Sequence, residues 1–232
     1  MNNRSQSPAS SRQLLIANCW PLAADSWLLT TMPNLGILLS GRGSNFLAIA
    51  DAIASGEIPN ARIAVVISNL ADAPGLEAAR NRGLNAIAIE AKGRKRAEHD
   101  QEIIATLQAH QVELVCLAGY MRLLSSGFIQ AFPQRILNIH PSLLPAFPGL
   151  DAQTQAFEYG VQIAGCTVHF VDEQLDHGAI ILQRAIPVLP TDDAPTLAAR
   201  ILEQEHLAYS EAIARVLSGE YQIIGRRYVQ KS

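Results

Sequence analysis

Asn138 and His140 lie one residue apart at the end of an apolar run that begins at Ile136. The run predicts a buried strand. Because successive strand residues point to opposite faces, this spacing places the amide and the imidazole on one face. Together, an amide N–H and a titratable ring can bind an oxyanion and move a proton. Three prolines follow between positions 141 and 148 and predict a stiff exit, in which Leu144–Pro145 is a candidate cis peptide bond.

A second segment with chemical potential is the glycine-containing stretch "SGRGSN" at 40–45, between a predicted strand and a predicted helix. Glycines let backbone N–H groups approach an oxyanion, and the helix N-terminus, with Ser44 or Asn45 as a candidate cap, attracts negative charge. The third glycine of a dinucleotide loop is absent, and the next strand ends at Asn69, where that motif has an acidic residue. A single phosphate group is therefore the better guest, with a plain strand–helix turn as the alternative.

Alternating strands and helices must position these two segments. Strand-like runs occupy 35–40, 61–69, 85–90, 112–119, 135–140, 165–171 and 179–189. Helical patterns cover 44–55, 74–83, 95–110, 152–159 and 194–217, and a short helix precedes residue 135. This alternation predicts an α/β fold with a doubly wound, mostly parallel sheet. The last two strand runs are joined by seven residues, too few for a parallel crossover, so they should form an antiparallel pair.

The carboxyl ends of parallel strands are where open α/β sheets bind ligands. The glycine segment follows the first strand, and Asn138 and His140 end the fifth. We therefore expect both segments to face one binding crevice.

The composition limits the classes of partner. The 232 residues are 49% hydrophobic and 17% charged, with a net charge of −3, which is typical of a globular protein. No basic run favours a nucleic-acid partner, and no apolar run approaches the roughly 20 residues of a membrane span. Of the three cysteines, Cys116 and Cys166 lie in strand-like runs. Buried, reduced thiols in a cytoplasmic protein are predicted.

Residues 1–32 differ from the rest of the chain. They are rich in Ser and Asn at the start and match a targeting peptide poorly. We interpret 1–32 as a disordered extension, or as the result of a start assigned too early, with Met32 as the alternative start. Residues 33–232 are predicted to form a single domain, since no linker or internal repeat is visible.

Four motifs together resemble one known family. They are "SGRGSN", "LAGYMRLL" at 117–124, "NIHPSLLPAFPG" at 138–149 and "TVHFVDEQLDHGAIILQ" at 167–183. Their order and spacing resemble the phosphoribosylglycinamide formyltransferases, folate-dependent enzymes of purine (IMP) biosynthesis with a Rossmann-like fold. The resemblance covers about residues 34–222. It implies transfer of a formyl group from 10-formyltetrahydrofolate to the amine of N1-(5-phospho-D-ribosyl)glycinamide, giving tetrahydrofolate.

The resemblance also implies residue roles. The catalytic residues would be Asn138, His140 and Asp176. The ribonucleotide phosphate and glycinamide would bind Gly41, Arg42, Gly43, Ser44, Asn45 and Glu205. The folate would bind Arg96, Met121, Arg122, Leu123, Leu124, Asn138, Asp172 and Asp176. The partners would be small molecules, with 10-formyltetrahydrofolate as formyl donor and no metal, and the protein would be a monomer or a homodimer.

Several residues have plainer interpretations. Asp176 in "LDHG" is also typical of a turn, and Glu205 and Arg96 are also typical of solvated helix surfaces. His169, which alternates inward along its strand, is better interpreted as a buried structural histidine than as a catalytic one.

Other functions compete with formyl transfer to the ribonucleotide. A 10-formyltetrahydrofolate hydrolase is the closest, but the family's hydrolases carry an additional N-terminal domain. A methionyl-tRNA formyltransferase would carry a C-terminal RNA-binding domain and an arginine-rich loop in place of "PSLLPAFPG". A nucleotide-binding sensor would not need Asn138, His140 and Asp176 together. A metal-dependent hydrolase could use His140, His169 and Asp176, but no metal-binding spacing is present.

Overall fold

One mixed sheet flanked by helices forms the part of the chain that the computed structural model describes, residues 32–231. Its strands are β1 (Asn34–Leu39), β2 (Arg62–Ser68), β3 (Ala86–Ala88), β4 (Leu114–Leu117), β5 (Ile136–His140), β6 (Ile163–Phe170), β7 (Ile180–Pro187), β8 (Tyr221–Ile224) and β9 (Arg227–Gln230). Its helices are α1 (Ser44–Ser55), α2 (Pro74–Asn81), α3 (Arg96–Ala109), α4 (Ser126–Ala131), α5 (Ala152–Tyr159) and α6 (Ala194–Leu217). Each predicted strand and helix is confirmed within a few residues.

The strand order is β3-β2-β1-β4-β5-β6-β7-β9-β8. The neighbours from β3 to β5 are parallel, and β6 and β7 form the predicted antiparallel pair. The antiparallel region is larger than predicted, because β6 also runs antiparallel to β5. The hairpin of β8 and β9 was not predicted, since each strand has only four residues and alternates buried and exposed positions weakly.

Helices cover both faces of the sheet, as a doubly wound fold requires. Buried residues of α1, α2 and α6 belong to one hydrophobic cluster, which includes Phe46, Leu76 and Ile213. Buried residues of α3 and α4 belong to a second cluster with Ile103 and Phe128. The chain changes direction across the sheet between β1 and β4, so the loops after these strands part there and leave a natural ligand site at the carboxyl edge.

The long helix α6 fixes the centre of the sheet. Its N-terminus has a capping box between Asp193 and Thr196. Further along, the buried hydroxyl of Tyr209 shares its one proton between the carbonyl oxygens of Leu117 (3.1 Å) and Leu137 (3.0 Å). This hydroxyl therefore ties the helix to the end of β4 and to β5 at the residue before Asn138.

The two described cysteines, Cys116 and Cys166, are buried free thiols, as predicted. Burial raises the pKa of each thiol to about 12, so both remain protonated and unreactive. Cys19 and the predicted extension, apart from the exposed Met32, lie outside the described residues. Between residues 32 and 231, no helix has the length and apolar character needed to cross a membrane.

Candidate active site

His140 ends β5 with a nearly buried side chain, 5% exposed. Its Nε2 lies 2.8 Å from the carbonyl oxygen of Phe147 in the proline-containing loop. A carbonyl oxygen only accepts, so Nε2 carries a proton and donates it. The loop that holds this carbonyl contains the cis Leu144–Pro145 bond, which confirms the sequence candidate. The ring of His140 is thereby oriented with Nδ1 toward Asp176.

Asp176 reaches the same place from the loop between β6 and β7. Its Oδ2 lies 3.4 Å from His140 Nδ1 and accepts a hydrogen bond from the backbone N–H of Gly149 at 2.8 Å. The side chain is 8% exposed, and its backbone is left-handed, with φ of 49°. Asp176 is therefore a turn residue, as its plainer interpretation held, and its carboxylate also faces the imidazole.

His169 joins this cluster from β6. Its Nδ1 lies 2.8 Å from the carbonyl oxygen of Phe170, so Nδ1 carries the proton and Nε2 is an acceptor. The amide nitrogen of Asn138 donates to that Nε2 at 3.3 Å, and Asp176 Oδ1 lies 3.7 Å from it. Burial lowers the pKa of His169, with the carbonyl of Phe170 and Asp176 opposing, which favours this neutral ring.

The sequence-predicted trio is thus brought together, with His169 as a fourth member. Asn138 and His169 are direct partners in the antiparallel β5–β6 register. The inward alternation of His169 was visible in the sequence, but its pairing with Asn138 depends on that register. His169 is buried, as expected, and its Nε2 accepts a hydrogen bond from the amide of Asn138.

The glycine segment connects β1 to α1 with a left-handed turn at Gly43, whose φ is 73°. Gly43 is the N-cap of α1, and no side chain caps the helix. The candidate cap at Ser44 or Asn45 was therefore wrong, because both residues already lie inside the helix. The uncapped N–H groups of the first turn and the exposed Arg42 suit an anion.

Asn45 points away from the helix terminus toward α6. Its Nδ2 donates to Oε2 of Glu205 at 2.8 Å, and both residues are 6% exposed. Burial raises the pKa of Glu205, and the hydrogen bond from Asn45 opposes that shift. The solvated interpretation of Glu205 is wrong, since this carboxylate lies buried beside the glycine segment.

The predicted folate residues are on several elements. Met121 and Leu123 are 69% and 55% exposed after β4, and Leu124 is half-buried. Arg122 is half-buried, and its Nε has no hydrogen-bond partner among the described residues. The remaining predicted contacts are Arg96, exposed at the first turn of α3, and Asp172, whose Oδ2 lies 2.9 Å from His177 Nδ1. Arg96 thus lies on an element separate from the trio, and its predicted role depends on the ligand reaching it.

A metal centre has no obvious ligand set here. Across residues 32–231, no group of three or more His, Cys, Asp or Glu side chains is arranged to hold a metal ion. The arrangement instead offers hydrogen-bond donors, one carboxylate and a titratable imidazole, which suits acyl-transfer chemistry.

Known proteins share this arrangement of elements. A family profile described as formyl transferase matches residues 34–213. The phosphoribosylglycinamide formyltransferase of Haemophilus influenzae is 42% identical over 83% of this chain and 91% of its own. The chain belongs to the phosphoribosylglycinamide formyltransferase family. The crystal structure of glycinamide ribonucleotide transformylase 1 from Symbiobacterium toebii matches with a TM-score of 0.85 and 51% identity, covering 88% of this chain and 96% of that one.

Longer proteins contain the same unit. The trifunctional purine biosynthetic protein adenosine-3 of Drosophila pseudoobscura pseudoobscura is 44% identical over 89% of this chain, which spans only 16% of that protein. A formyltetrahydrofolate deformylase from Pseudomonas syringae has the same fold, with a TM-score of 0.81 at 23% identity and coverage of 88% of this chain and 67% of that one. The predicted family and fold class are confirmed.

Proposed function

We propose that this protein transfers the formyl group of 10-formyltetrahydrofolate to the primary amine of N1-(5-phospho-D-ribosyl)glycinamide in purine biosynthesis. The amine nitrogen forms a bond to the formyl carbon, and the bond from that carbon to N10 of the folate breaks. One proton leaves the amine and one reaches N10, so the products are the N-formyl ribonucleotide and tetrahydrofolate. The supporting observation is the meeting of His140, Asp176 and Asn138 at the carboxyl end of β5.

Asn138 and His140 would stabilise the tetrahedral oxyanion. One N–H of the Asn138 amide is directed at His169, which leaves the other free for the developing charge. A protonated His140 would donate from Nδ1, the nitrogen that Asp176 faces at 3.4 Å. Each well-placed donor contributes about 3–4 kcal/mol in acyl transfer. Asp176 would balance the imidazolium charge and would pass the amine proton on through water.

The ribonucleotide would bind between the glycine segment and α6. The phosphate would lie against Gly41, Arg42, Gly43 and Ser44, where backbone N–H groups are uncapped. The amine end would reach the Asn45–Glu205 pair, because Glu205 accepts only one hydrogen bond from Asn45 and retains acceptor capacity.

The folate would bind along the segment 121–124. The exposed side chains of Met121 and Leu123 offer apolar surface for a flat pterin, and backbone groups would read its polar edge. The proposed folate contacts are completed by Arg96, Arg122, Leu124, Asn138, Asp172 and Asp176. The formyl donor would thus be a co-substrate, no metal would take part, and Cys116 and Cys166 as reduced thiols favour a cytoplasmic location.

One assay tests this function against its closest rival. Purified protein is given 10-formyltetrahydrofolate with and without the ribonucleotide amine, and tetrahydrofolate release is followed. Release that requires the amine supports formyl transfer, and a metal chelator should leave the rate unchanged. Release at the same rate without the amine would instead identify a hydrolase, whereas no release in either condition would contradict both enzymes.

A further inference from the structure

Ser40 is a buried residue whose hydrogen bonds connect three loops at the carboxyl edge of the sheet. It directly follows β1 and is 8% exposed. Its backbone N–H donates to the carbonyl oxygen of Gly119 at 3.0 Å, after β4. Its hydroxyl donates to Oδ1 of Asn69 at 2.5 Å, after β2, and accepts from the backbone N–H of Met121 at 2.9 Å.

The direction of these bonds follows from their partners. A hydroxyl has one proton, and Asn69 Oδ1 can only accept, so the proton of Ser40 is directed at Asn69. The lone pairs of the hydroxyl are then available to the N–H of Met121. Asn69 therefore orients the hydroxyl of Ser40.

The hydrogen bonds of Ser40 connect the two proposed substrate sites. Ser40 is the chain neighbour of Gly41, where the glycine segment contacts α2 through a bond from Gly75 N–H to Gly41 O at 3.0 Å. Met121 begins the proposed folate segment, which follows β4, the neighbour of β1 where the strand order changes direction. A shift of Met121 relative to Gly41 would change the separation between the bound amine and the bound formyl carbon.

We propose that Ser40 is a positioning residue that sets the folate segment relative to the phosphate segment, and that Asn69 orients it for that task. This inference rests on the proposed function. Ser40 does not act on the reacting atoms: its hydroxyl is engaged with Asn69 and Met121. Its effect is on the alignment of two substrates, each of which can still bind to its own segment.

The test compares Ser40→Ala with Ser68→Ala. Ser68 is a matched control, because it also ends a strand, is fully buried, and its hydroxyl accepts a hydrogen bond from a backbone N–H, that of Leu70 at 3.1 Å. Ser40→Ala should lower kcat by about ten- to hundredfold through misalignment, while each KM changes less than about threefold. Ser68→Ala should leave kcat near the starting value. An equal kcat loss in both variants would show general destabilisation and overturn the proposal.

Asn69→Ala supplies a double-mutant cycle. Because Asn69 would act only through the hydroxyl, its effect on kcat should largely disappear when Ser40 is already alanine. Full additivity of the two changes would overturn the orienting role of Asn69.

A readout without substrates separates this inference from the proposed function. Hydrogen exchange at the Met121 amide should accelerate in Ser40→Ala and stay unchanged in Ser68→Ala. If the starting protein fails the formyl-transfer assay, the proposed function is contradicted, while this exchange result still tests whether Ser40 holds Met121. Unchanged protection of Met121 in a folded Ser40→Ala variant would overturn the positioning role.

Discussion

Glu205 and Asn45 form a buried polar pair that is only half satisfied. Nδ2 of Asn45 donates to the carboxylate, whereas Oδ1 of Asn45 is buried without a hydrogen-bond partner in the described chain. Burial raises the pKa of Glu205, since a charged carboxylate loses water there. The pair thus lowers the stability of the ligand-free protein at neutral pH, which is typical of polar groups that bind a ligand.

Glu205→Gln should make the ligand-free protein more stable at neutral pH. Glu205 stays protonated to higher pH in the native state than in the unfolded chain. Its contribution to the stability of the folded state is therefore fully present below the ordinary pKa of 4.5 and is lost as pH rises through the raised pKa. Glutamine avoids this loss, and its amide can donate to Asn45 Oδ1. Between about pH 4 and pH 8, thermal unfolding should show a gap in melting temperature between the variant and the starting protein, and this gap should widen as pH rises. A gap independent of pH would contradict the prediction.

His140→Ala and Asp176→Asn should each lower kcat by about a hundred- to a thousandfold, because each removes a partner of the proposed oxyanion site. Both changes keep the surrounding strands, so circular dichroism should be unchanged. His110→Ala is a suitable control, since this histidine caps the end of α3, with its Nδ1 2.8 Å from the carbonyl oxygen of Thr106. Near-normal turnover in both site variants would reject the mechanism.

At the scale of elements, the loop between β6 and β7 places Asp176 against β5. The β6–β7 register shifts between Val168 and His169, and Gly178 fits beneath the carbonyl of Phe170. The hairpin of β8 and β9 supports the same loop, because Arg226 Nη2 donates to the carbonyl oxygen of His177 at 2.5 Å. Backbone packing therefore determines where this carboxylate lies.

Gly178→Ala should lower both stability and kcat. An added Cβ would lie 1.8 Å from the carbonyl oxygen of Phe170, a backbone atom that cannot move without parting β6 from β7. Asp176, two residues earlier, would be displaced from His140. Gly127→Ala is the control, since its Cβ would meet only side-chain atoms at 3.8 Å or more within helix α4. Melting temperature and kcat measured together check this, and equal behaviour of the two variants would contradict it.

At the scale of the whole molecule, residues 33–232 are proposed to form a single formyltransferase domain. β1 begins at Asn34, and the family match begins at the same residue. Both clusters of buried side chains are built from residues after that point. The described core therefore includes every residue to which a catalytic or binding role is assigned.

A chain that begins at Met32 should fold and keep kcat within about twofold of the full-length protein, because the assigned residues and their packing partners are retained. Thermal unfolding and the formyl-transfer assay on both chains check this. Aggregation of the shorter chain, or a large loss of turnover, would show that residues before Met32 belong to the domain.

Local patterns explain what could be predicted from the sequence. Periodicity fixes whether a segment buries one face as a strand or a helix, so the elements from β1 to α6 were recognisable. The spacing of Asn138 and His140 required only the two-residue repeat of a strand. Asp176 came from the family resemblance, because nothing local distinguishes it from an ordinary turn aspartate.

Tertiary structure decided the contacts that depend on register and on packing between distant segments. The partnership of Asn138 with His169 needs the β5–β6 register, and the burial of Glu205 needs α6 to pack against α1. The hydrogen bonds of Ser40 require the loops after β1, β2 and β4 to lie together at the carboxyl edge of the sheet. The sequence by itself determined the elements from β1 to α6 and which residue types end them. Only the folded chain, where distant side chains exclude water from each other, determined which of them share hydrogen bonds and shifted pKa values.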